Sequence, residues 1–347
     1  MHSLDPDFLE NQAIPLEMGG TLRTLGEYRG RQELFSRQMP QVLETLKQVA
    51  MVQSTESSNR IEGIVVADDR LKALVEKKTT PRDRPEAEVV GYRNVLDQIH
   101  TRFERIPVTP ESILKMHGDM LKATNLPAGT WKRKDNTIEE RLADGRWITR
   151  FVPLSARETP HYMSGLCKRF NRLWEEQRMD RLLLLHAFVL DFLCIHPFTD
   201  GNGRVSRLLT VLLLHQAGYD VGRYISVERL IEQSKETYYE VLQRVSENWQ
   251  ERRHRLLPWW RYSLGVLVEA YKEFEDRVGT VKSSRGAKTQ WVREVINKLP
   301  QEFGASELAR DCPGVSRPMI RVVLEALRSE GKLHVFGTGR GAMWRKK

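Results

Sequence analysis

Residues 182–217 read LLLLHAFVLDFLCIHPFTDGNGRVSRLLTVLLLHQA, two apolar segments joined by a polar, glycine-containing one. The first segment, Leu182–Ile195, is apolar on nearly every side of a helix, which is typical of a helix buried at the centre of a bundle. It is interrupted by His186 and Asp191 and is too short to span a bilayer. The second segment predicts another buried helix that ends at Gly218. We therefore expect the polar segment to be held between two core helices.

Most of the remaining chain shows apolar residues at the helical period of about 3.6 residues. Residues 136–153 differ, because strand-forming residues flank Asp144-Gly145, a favoured hairpin turn. An isolated hairpin is marginally stable, so we expect this one to lean on the helices. The sequence thus predicts a mainly α fold, a helical bundle with one β-hairpin followed by a small domain. We expect an N-terminal helical region at 1–105, a core at 106–277, and a linker with the small domain at 278–347.

The C-terminal part of the chain is basic. From Lys282 to Lys347 there are 14 Lys and Arg against 6 Asp and Glu, so +8 of the net charge of +9 lies there. After a polar linker (275–288), three helical segments precede two short strands, the element order of a winged helix-turn-helix domain. Arg317 and Arg321 lie near the start of the third helix, the end that a recognition helix presents to DNA. DNA is one expected partner, and the alternative is dimerisation or docking to a protein.

The cysteines and the N-terminus indicate a reducing compartment. Cys167, Cys194 and Cys312 are too few and too scattered for a disulfide framework or a zinc cluster. The first residues show no basic stretch followed by an apolar one, so we expect no signal peptide. A cytoplasmic protein without membrane contact is the natural expectation.

The polar segment HPFTDGNGRVSR (196–207) carries the residues of an anion site. Gly201, Asn202 and Gly203 leave backbone N–H groups free at the start of a helix, where phosphate groups bind. Arg204 and Arg207 are three residues apart, so both guanidinium groups can face the same anion.

The same segment offers a base and a metal ligand. Asp200 supplies a hard oxygen ligand suited to Mg²⁺ shared with phosphates, and His196 titrates near neutral pH. This combination predicts a site for phosphoryl or nucleotidyl transfer. The plainer alternative is a helix–loop–helix turn with incidental polar residues.

At this point the sequence resembles the Fic (Fic/Doc) family. The family motif His-Pro-Phe-x-(Asp/Glu)-Gly-Asn-Gly-Arg-x-x-Arg is matched at every fixed position from His196 to Arg207. The segment before the motif, the hairpin and the stretch ETYYEVL after it also look like Fic segments. The resemblance spans roughly residues 35–260.

The resemblance implies a protein adenylyltransferase that moves AMP from ATP to a Ser, Thr or Tyr hydroxyl of a target protein. His196 would take the hydroxyl proton, and Asp200 would hold Mg²⁺. The phosphate ligands would be Gly201, Asn202, Gly203, Arg204 and Arg207. The hairpin would pair with the target backbone as an added strand.

The adenine end of the site is less sharply defined by the resemblance. Tyr238 and Tyr239 match aromatic residues near the family's adenine pocket, and packing in the core is an equally open role for them. Some relatives carry Asn where this chain has Ser246.

A second motif lies upstream. Ser58-x-x-x-Glu62-Gly63 resembles the family's inhibitory motif, (Ser/Thr)-x-x-x-Glu-(Gly/Asn). The self-inhibited class with an N-terminal inhibitory helix carries this motif, and its glutamate pairs with the second arginine of the Fic motif, here Arg207. A carboxylate there removes the partner of the γ-phosphate and repels it.

Several alternatives stay open. Ser58 and Glu62 could form an ordinary solvated helix end. Glu62 could orient a water that removes AMP, which would make the enzyme bifunctional. The Fic body could instead sense nucleotide for a DNA-binding regulator, and inhibition could act between the protomers of a homodimer.

Overall fold

A computed structural model describes residues 2–38, 40–141, 145–281, 287–312, 315–337 and 342–347. The helices within these ranges are α1 (Pro6–Glu10), α2 (Leu16–Gln38), α3 (Pro40–Ile61), α4 (Asp68–Val75), α5 (Arg84–Arg102), α6 (Pro110–Leu121), α7 (Thr159–Glu176), α8 (Arg181–Ile195), α9 (Asn202–Gln216), α10 (Val227–Gln233), α11 (Lys235–Ser246), α12 (Leu257–Val281), α13 (Ala287–Lys298), α14 (Ala305–Asp311) and α15 (Arg317–Ser329). The strands are β1 (Ile138–Arg141), β2 (Trp147–Phe151), β3 (Glu302–Gly304), β4 (Leu333–Phe336) and β5 (Met343–Lys346). The expectation of a mainly helical fold is confirmed.

Helix α8 is the centre of the bundle, as its apolar sequence predicts. Every residue from Leu182 to Ile195 is buried, and α7, α9 and α12 pack around it. Asp180 caps its start by accepting the N–H of Leu182 at 2.7 Å. Two tryptophans of α12 donate their indole N–H groups to α8 carbonyl oxygens, at 2.7 and 2.9 Å. These two bonds fix α8 against α12.

The one acidic residue of α8, Asp191, is fully buried. Its carboxylate accepts the indole N–H of Trp249 at 2.7 Å and the backbone N–H of Ser3 at 3.0 Å. Buried carboxylates are tolerated when donors satisfy them. This network ties the N-terminal segment to the bundle core.

The predicted hairpin is present as β1 and β2, paired antiparallel from Ile138↔Phe151 to Arg141↔Trp147. Gly145 has a φ of 88°, in the left-handed region that glycine adopts without strain. The other predicted turn residue, Asp144, lies outside the described residues. Just beyond β2, the side-chain amide of Gln250 donates to the carbonyl of Val152 at 2.8 Å, so the hairpin leans on the helical body.

The C-terminal module, residues 287–347, has its own hydrophobic core, which includes Val292, Phe303 and Leu324. Three helices precede the β4–β5 hairpin, in the predicted order. Helix α15 begins after Ser316, whose hydroxyl accepts the N–H of Met319, as expected of a helix cap. One strand was not predicted: β3 pairs with β5 and completes a three-stranded sheet in the order β3-β5-β4.

The predicted linker begins too early. Residues 275–281 continue α12 instead of leaving it. Phe274 and Val278 are buried one helical turn apart, and Arg277 pairs with Glu273 at 2.5 Å, so packing extends the helix through a stretch of polar composition.

The module contacts the body through ion pairs. Arg310 of α14 lies 3.4 Å from Glu56 of α3 and 3.8 Å from Asp68 of α4, and Lys298 lies 3.5 Å from Asp276. None of the described helices has the length and apolar character needed to cross a bilayer.

Candidate active site

The loop between α8 and α9 starts and ends with left-handed backbone. His196 closes α8 with a φ of 50°, and Gly201 precedes α9 with a φ of 82°. For a residue with a side chain this conformation costs about 1–2 kcal/mol, so surrounding contacts must hold His196 in place. At Gly201 a Cβ would approach the Cε of Met120 to 2.9 Å, so glycine is favoured by both conformation and space.

The loop is braced from within by Asn202. Its side-chain oxygen accepts the N–H of Phe198 at 2.9 Å, and its side-chain nitrogen donates to the carbonyl of Phe198 at 2.8 Å. Phe198 is fully buried. The amide of Asn202 therefore faces the loop interior, which differs from its expected contact with phosphate.

His117 of α6, which sequence reasoning missed, braces the loop from outside. Its Nδ1 accepts the N–H of Gly129 at 3.0 Å, so its Nε2 carries the proton and donates to the carbonyl of Asp200 at 3.0 Å. The imidazole also stacks on Phe198 with 3.7 Å between ring centroids. Burial lowers the pKa of His117 to about 4 and keeps this ring neutral.

His196 is partly buried, and its Nδ1 lies 3.4 Å from the carbonyl oxygen of Leu193. A carbonyl only accepts, so this contact favours a proton on Nδ1 and leaves the lone pair of Nε2 free. Burial first, and then the charge of Lys132, lower the pKa of His196 to about 4, although Glu62 and Asp200 act in the opposite direction. The neutral imidazole that a general base needs is thus the form present at neutral pH.

Helix α9 begins directly after the loop and directs its first backbone N–H groups toward it, since these have no partner within the helix. The second of them belongs to Gly203, which packs against Glu62. A Cβ at Gly203 would collide with the Glu62 carboxylate. Glycine is therefore favoured here by the close approach of the Glu62 carboxylate and not by backbone angle.

Arg207, one turn into α9, is only 3% exposed and meets the upstream motif. Its Nη2 donates to Glu62 Oε1 at 2.7 Å and to the carbonyl of Ser58 at 2.8 Å, and its Nε donates to Ser58 Oγ at 2.8 Å. Gly63, with a φ of 79°, ends the helical turn after Glu62. The structure thus joins two motifs that lie far apart in the chain.

The partners of Arg204 differ from those of Arg207. Its side chain is 1% exposed and pairs with Glu88 of α5, while its Nη2 lies 3.4 Å from Asp200 Oδ1. Arg84 bridges the same two carboxylates, at 2.7 Å from Glu88 and 3.5 Å from Asp200. This differs from the expectation that Arg204 and Arg207 face one anion together.

Residues 107–214 include the hairpin, the loop with His196 and the helix N-terminus that follows this loop. These residues match the model of the Fic/DOC family. The chain contains a Fic/DOC family domain.

Curated relatives of this Fic domain include the proteins named "Protein adenylyltransferase Fic" from Drosophila melanogaster and Drosophila sechellia. Each is 27% identical over 137 residues, which is 38% of this chain. The matched stretch spans about a quarter, 25%, of the length of those relatives.

Two solved structures share the fold. A Fic family protein from Desulfovibrio desulfuricans G20 has a TM-score of 0.63 at 20% identity and covers 96% of this chain and 97% of its own. A Fic domain containing signaling protein from Bacteroides thetaiotaomicron VPI-5482 has a TM-score of 0.62 at 20% identity, with 76% and 100% covered. At these identities the likeness speaks for the fold alone.

The Fic domain offers Asp200 as a metal ligand. Its side chain is 47% exposed, and Oδ1 accepts the N–H of Gly201 at 2.5 Å. Among the described residues no group of three His, Cys, Asp or Glu side chains could hold a metal ion. An exposed carboxylate beside a helix N-terminus fits Mg²⁺, which would keep several waters there and share its coordination with any phosphate bound at that helix end.

The two tyrosines of α11 differ in exposure. Tyr238 is 4% exposed and packs among Trp259, Tyr262 and Tyr239, which corresponds to the core role. Tyr239 is 44% exposed, and Lys235 lies 5.9 Å above its ring. Tyr239 is therefore the more exposed of the two, whereas Tyr238 lines a small cavity that it shares with Arg207.

Buried histidines make the stability of the Fic domain depend on pH. Burial lowers the pKa of His117, His186 and His196 to about 4 from 6.5. Between these values the unfolded chain binds more protons, so the free energy of unfolding falls as pH drops below 6.5. Each group contributes up to about 1.4 kcal/mol per pH unit. Urea unfolding from pH 7 to pH 5 measures this slope.

The variant His186→Gln is expected to remove about one proton from the uptake on unfolding, which lowers the slope by up to about 1.4 kcal/mol per pH unit. The matched control is His161→Gln on the exposed surface of α7, which is expected to leave the slope unchanged. A free energy of unfolding that stays constant between pH 7 and pH 5 would contradict the assignment of neutral buried histidines.

Proposed function

We propose that this protein transfers AMP from ATP to a hydroxyl side chain, Ser, Thr or Tyr, of a protein. The observation that carries the proposal is the neutral His196, whose Nε2 lone pair is free beside the N-terminus of α9. Its place in a Fic domain and the names of the Drosophila relatives support the same reaction.

The reaction moves one proton and exchanges one bond at phosphorus. The target hydroxyl oxygen attacks the α-phosphorus of ATP while Nε2 of His196 accepts the hydroxyl proton. The bond between the α-phosphorus and the oxygen bridging to the β-phosphate breaks, and pyrophosphate leaves. His196 then returns its proton to solvent. The products are the AMP ester of the target side chain and pyrophosphate.

Several groups bind the triphosphate. The free N–H groups at the start of α9, including that of Gly203, bind phosphate oxygens, and Arg207 pairs with the terminal phosphates. Asp200 would hold Mg²⁺, which neutralises developing phosphate charge when it is bound. We assign Arg204 the role of orienting Asp200 and not the expected role of binding phosphate. Arg204 lies beside Asp200, and Arg84 links Asp200 to Glu88, the partner of Arg204.

The hairpin is the proposed docking element for the target. A two-stranded sheet has open edges whose backbone groups can pair with an extended segment of another chain. β1 begins only two residues after Asn136, which bonds to the His196 loop. A target strand on the hairpin would therefore bring its hydroxyl toward His196.

We also propose that Glu62 inhibits this reaction. Its carboxylate bonds Arg207 and lies against Gly203. It therefore takes the guanidinium that would pair with the terminal phosphate and fills the space that this phosphate would need. A second negative charge there is repelled by about 4 kcal/mol at 4 Å for an effective dielectric of 20. ATP that binds with Glu62 in place would not present its α-phosphorus to the target hydroxyl.

Replacing Glu62 with glycine is expected to raise self-modification at least about tenfold. Mass spectrometry after incubation with Mg²⁺ and ATP measures the mass of one AMP for each modified site. The double variant Glu62→Gly/His196→Ala is expected to show no adduct, because the base is absent. The matched control is Glu236→Gly, an exposed glutamate of α11, which is expected to behave as wild type.

A folded Glu62→Gly variant that binds ATP and forms no adduct would contradict adenylyl transfer. Modification at the wild-type rate would contradict inhibition alone. The bifunctional alternative gives a third pattern: purified adduct loses AMP when Glu62 is present and keeps it in the Glu62→Gly variant.

The C-terminal module is proposed to be a winged helix-turn-helix domain that binds DNA. Arg317 and Arg321 are exposed near the start of α15, beside the exposed side chains of Met319 and Val322. Arg340, which follows β4 in the sequence and is a candidate for a phosphate contact from the wing, lies outside the described residues. If the module binds DNA, the Fic domain would either modify a target there or sense nucleotide for a regulator.

Duplex binding is measured by fluorescence anisotropy at increasing salt. We expect affinity to fall steeply with salt and the variant Arg317→Ala/Arg321→Ala to bind at least about tenfold more weakly. The control Arg328→Ala, at the far end of α15 and 3.3 Å from Glu325, is expected to change little. No binding at low salt would leave protein docking or a homodimer as the role of the module.

A further inference from the structure

One short segment, Lys132–Asn136, bonds to three carbonyl groups that flank His196. The backbone N–H of Lys132 donates to Pro197 at 2.9 Å, and its Nζ donates to Ile195 at 3.1 Å. The side-chain nitrogen of Asn136 donates to Phe198 at 3.2 Å. The chain is therefore fixed immediately before and after the histidine.

The ammonium group of Lys132 is buried, which is unusual for lysine. The residue is 3% exposed, and its Nζ bonds the side-chain oxygen of Asn136 at 2.8 Å in addition to the carbonyl of Ile195. Burial lowers its pKa to about 8. A charge held away from water without a bonded carboxylate is costly, and the bonds to Asn136 and Ile195 offset part of that cost.

The backbone at His196 needs such a brace. Its φ of 50° is sparsely populated for residues with a side chain and persists only where surroundings over-determine it. The capping N–H of His196 bonds Phe192 at 3.0 Å, which fixes one side of the turn. The segment Lys132–Asn136 fixes the other side.

We propose that Lys132, with Asn136, is a positioning residue that holds His196 in its left-handed conformation and joins it to the hairpin. This inference rests on the proposed function of His196 as the base. Because β1 starts at Ile138, two residues beyond Asn136, the strand that docks the target and the base that deprotonates it share one rigid frame. Lys132 acts through the chain around His196 and not on substrate, since its Nζ bonds the carbonyl oxygen of Ile195 and the side-chain oxygen of Asn136.

Lys132 also acts on the charge of the imidazole. The charged groups that act on His196 are Lys132, Glu62 and Asp200. The cation disfavours a second positive charge nearby, whereas the two carboxylates favour it. Removing the cation therefore raises the pKa of His196. A base with a higher pKa is protonated at a higher pH, so activity is lost earlier as pH falls.

The test is made in the Glu62→Gly background with the full chain. We expect Lys132→Met to lower kcat about 10- to 100-fold with KM for ATP within about twofold, because the base is misplaced and ATP contacts are kept. The acid limb of the pH–rate profile is expected to move to higher pH. Lys132→Arg, which keeps the charge and donors, is expected to restore the position of the acid limb. Asn136→Ala is expected to lower kcat about three- to tenfold.

The matched control is Lys134→Met, since Lys134 is an exposed lysine of the same segment. It is expected to leave kcat, KM and the pH profile unchanged. A Lys132→Met variant with a raised KM and an unmoved acid limb would overturn the proposal in favour of ATP binding. An unchanged kcat per folded molecule, with only a lower Tm, would overturn it in favour of a merely structural role.

A readout that needs no turnover separates this inference from the proposed function. NMR titration follows the imidazole of His196, assigned with the variant His196→Gln, in wild type and in Lys132→Met. We expect the titration midpoint to rise in Lys132→Met even if no adenylylation is observed. An unchanged midpoint would overturn the charge role of Lys132 independently of the reaction.

Discussion

The ion pair between Arg207 and Glu62 is the contact on which the site depends. It closes the end of α3 against α9 and places a carboxylate against Gly203. Leaving a buried charge without its partner typically costs about 3–5 kcal/mol, so the guanidinium needs an anion whenever Glu62 leaves. The buried positive charge of Arg207 holds Glu62 in place. The same charge would attract a phosphate group if Glu62 left. Under the proposed function, Glu62 and the terminal phosphates of ATP would be alternative partners of the Arg207 guanidinium.

Elements whose signal is local could be predicted from sequence. The apolar character of α8 and the strands around Asp144-Gly145 each depend on neighbouring residues. The extension of α12 to Val281 could not, because it depends on packing of Phe274 and Val278 against other helices. Strand β3 was missed for a similar reason, since its pairing partner β5 lies about forty residues downstream.

The candidate site also has parts that the sequence predicts and parts that only the structure reveals. The Fic motif and the upstream glutamate were recognisable as patterns, and the structure brings Glu62 to Arg207. Spacing alone suggested that Arg204 would face the same anion as Arg207, but Arg204 pairs with the Glu88 carboxylate of α5 instead. His117 and Lys132 are single residues in unremarkable segments, and only the packing of α6 and the hairpin base against the loop reveals their contacts. No local signal could have found them.

A double-mutant cycle on the rate of AMP incorporation measures whether Glu62 acts through Arg207. The four proteins are wild type, Glu62→Gly, Arg207→Ala and the double variant, each checked for cooperative unfolding. Glu62→Gly is expected to accelerate the reaction only when Arg207 is present, so the double variant stays as slow as Arg207→Ala. A double variant as fast as Glu62→Gly would contradict inhibition through Arg207.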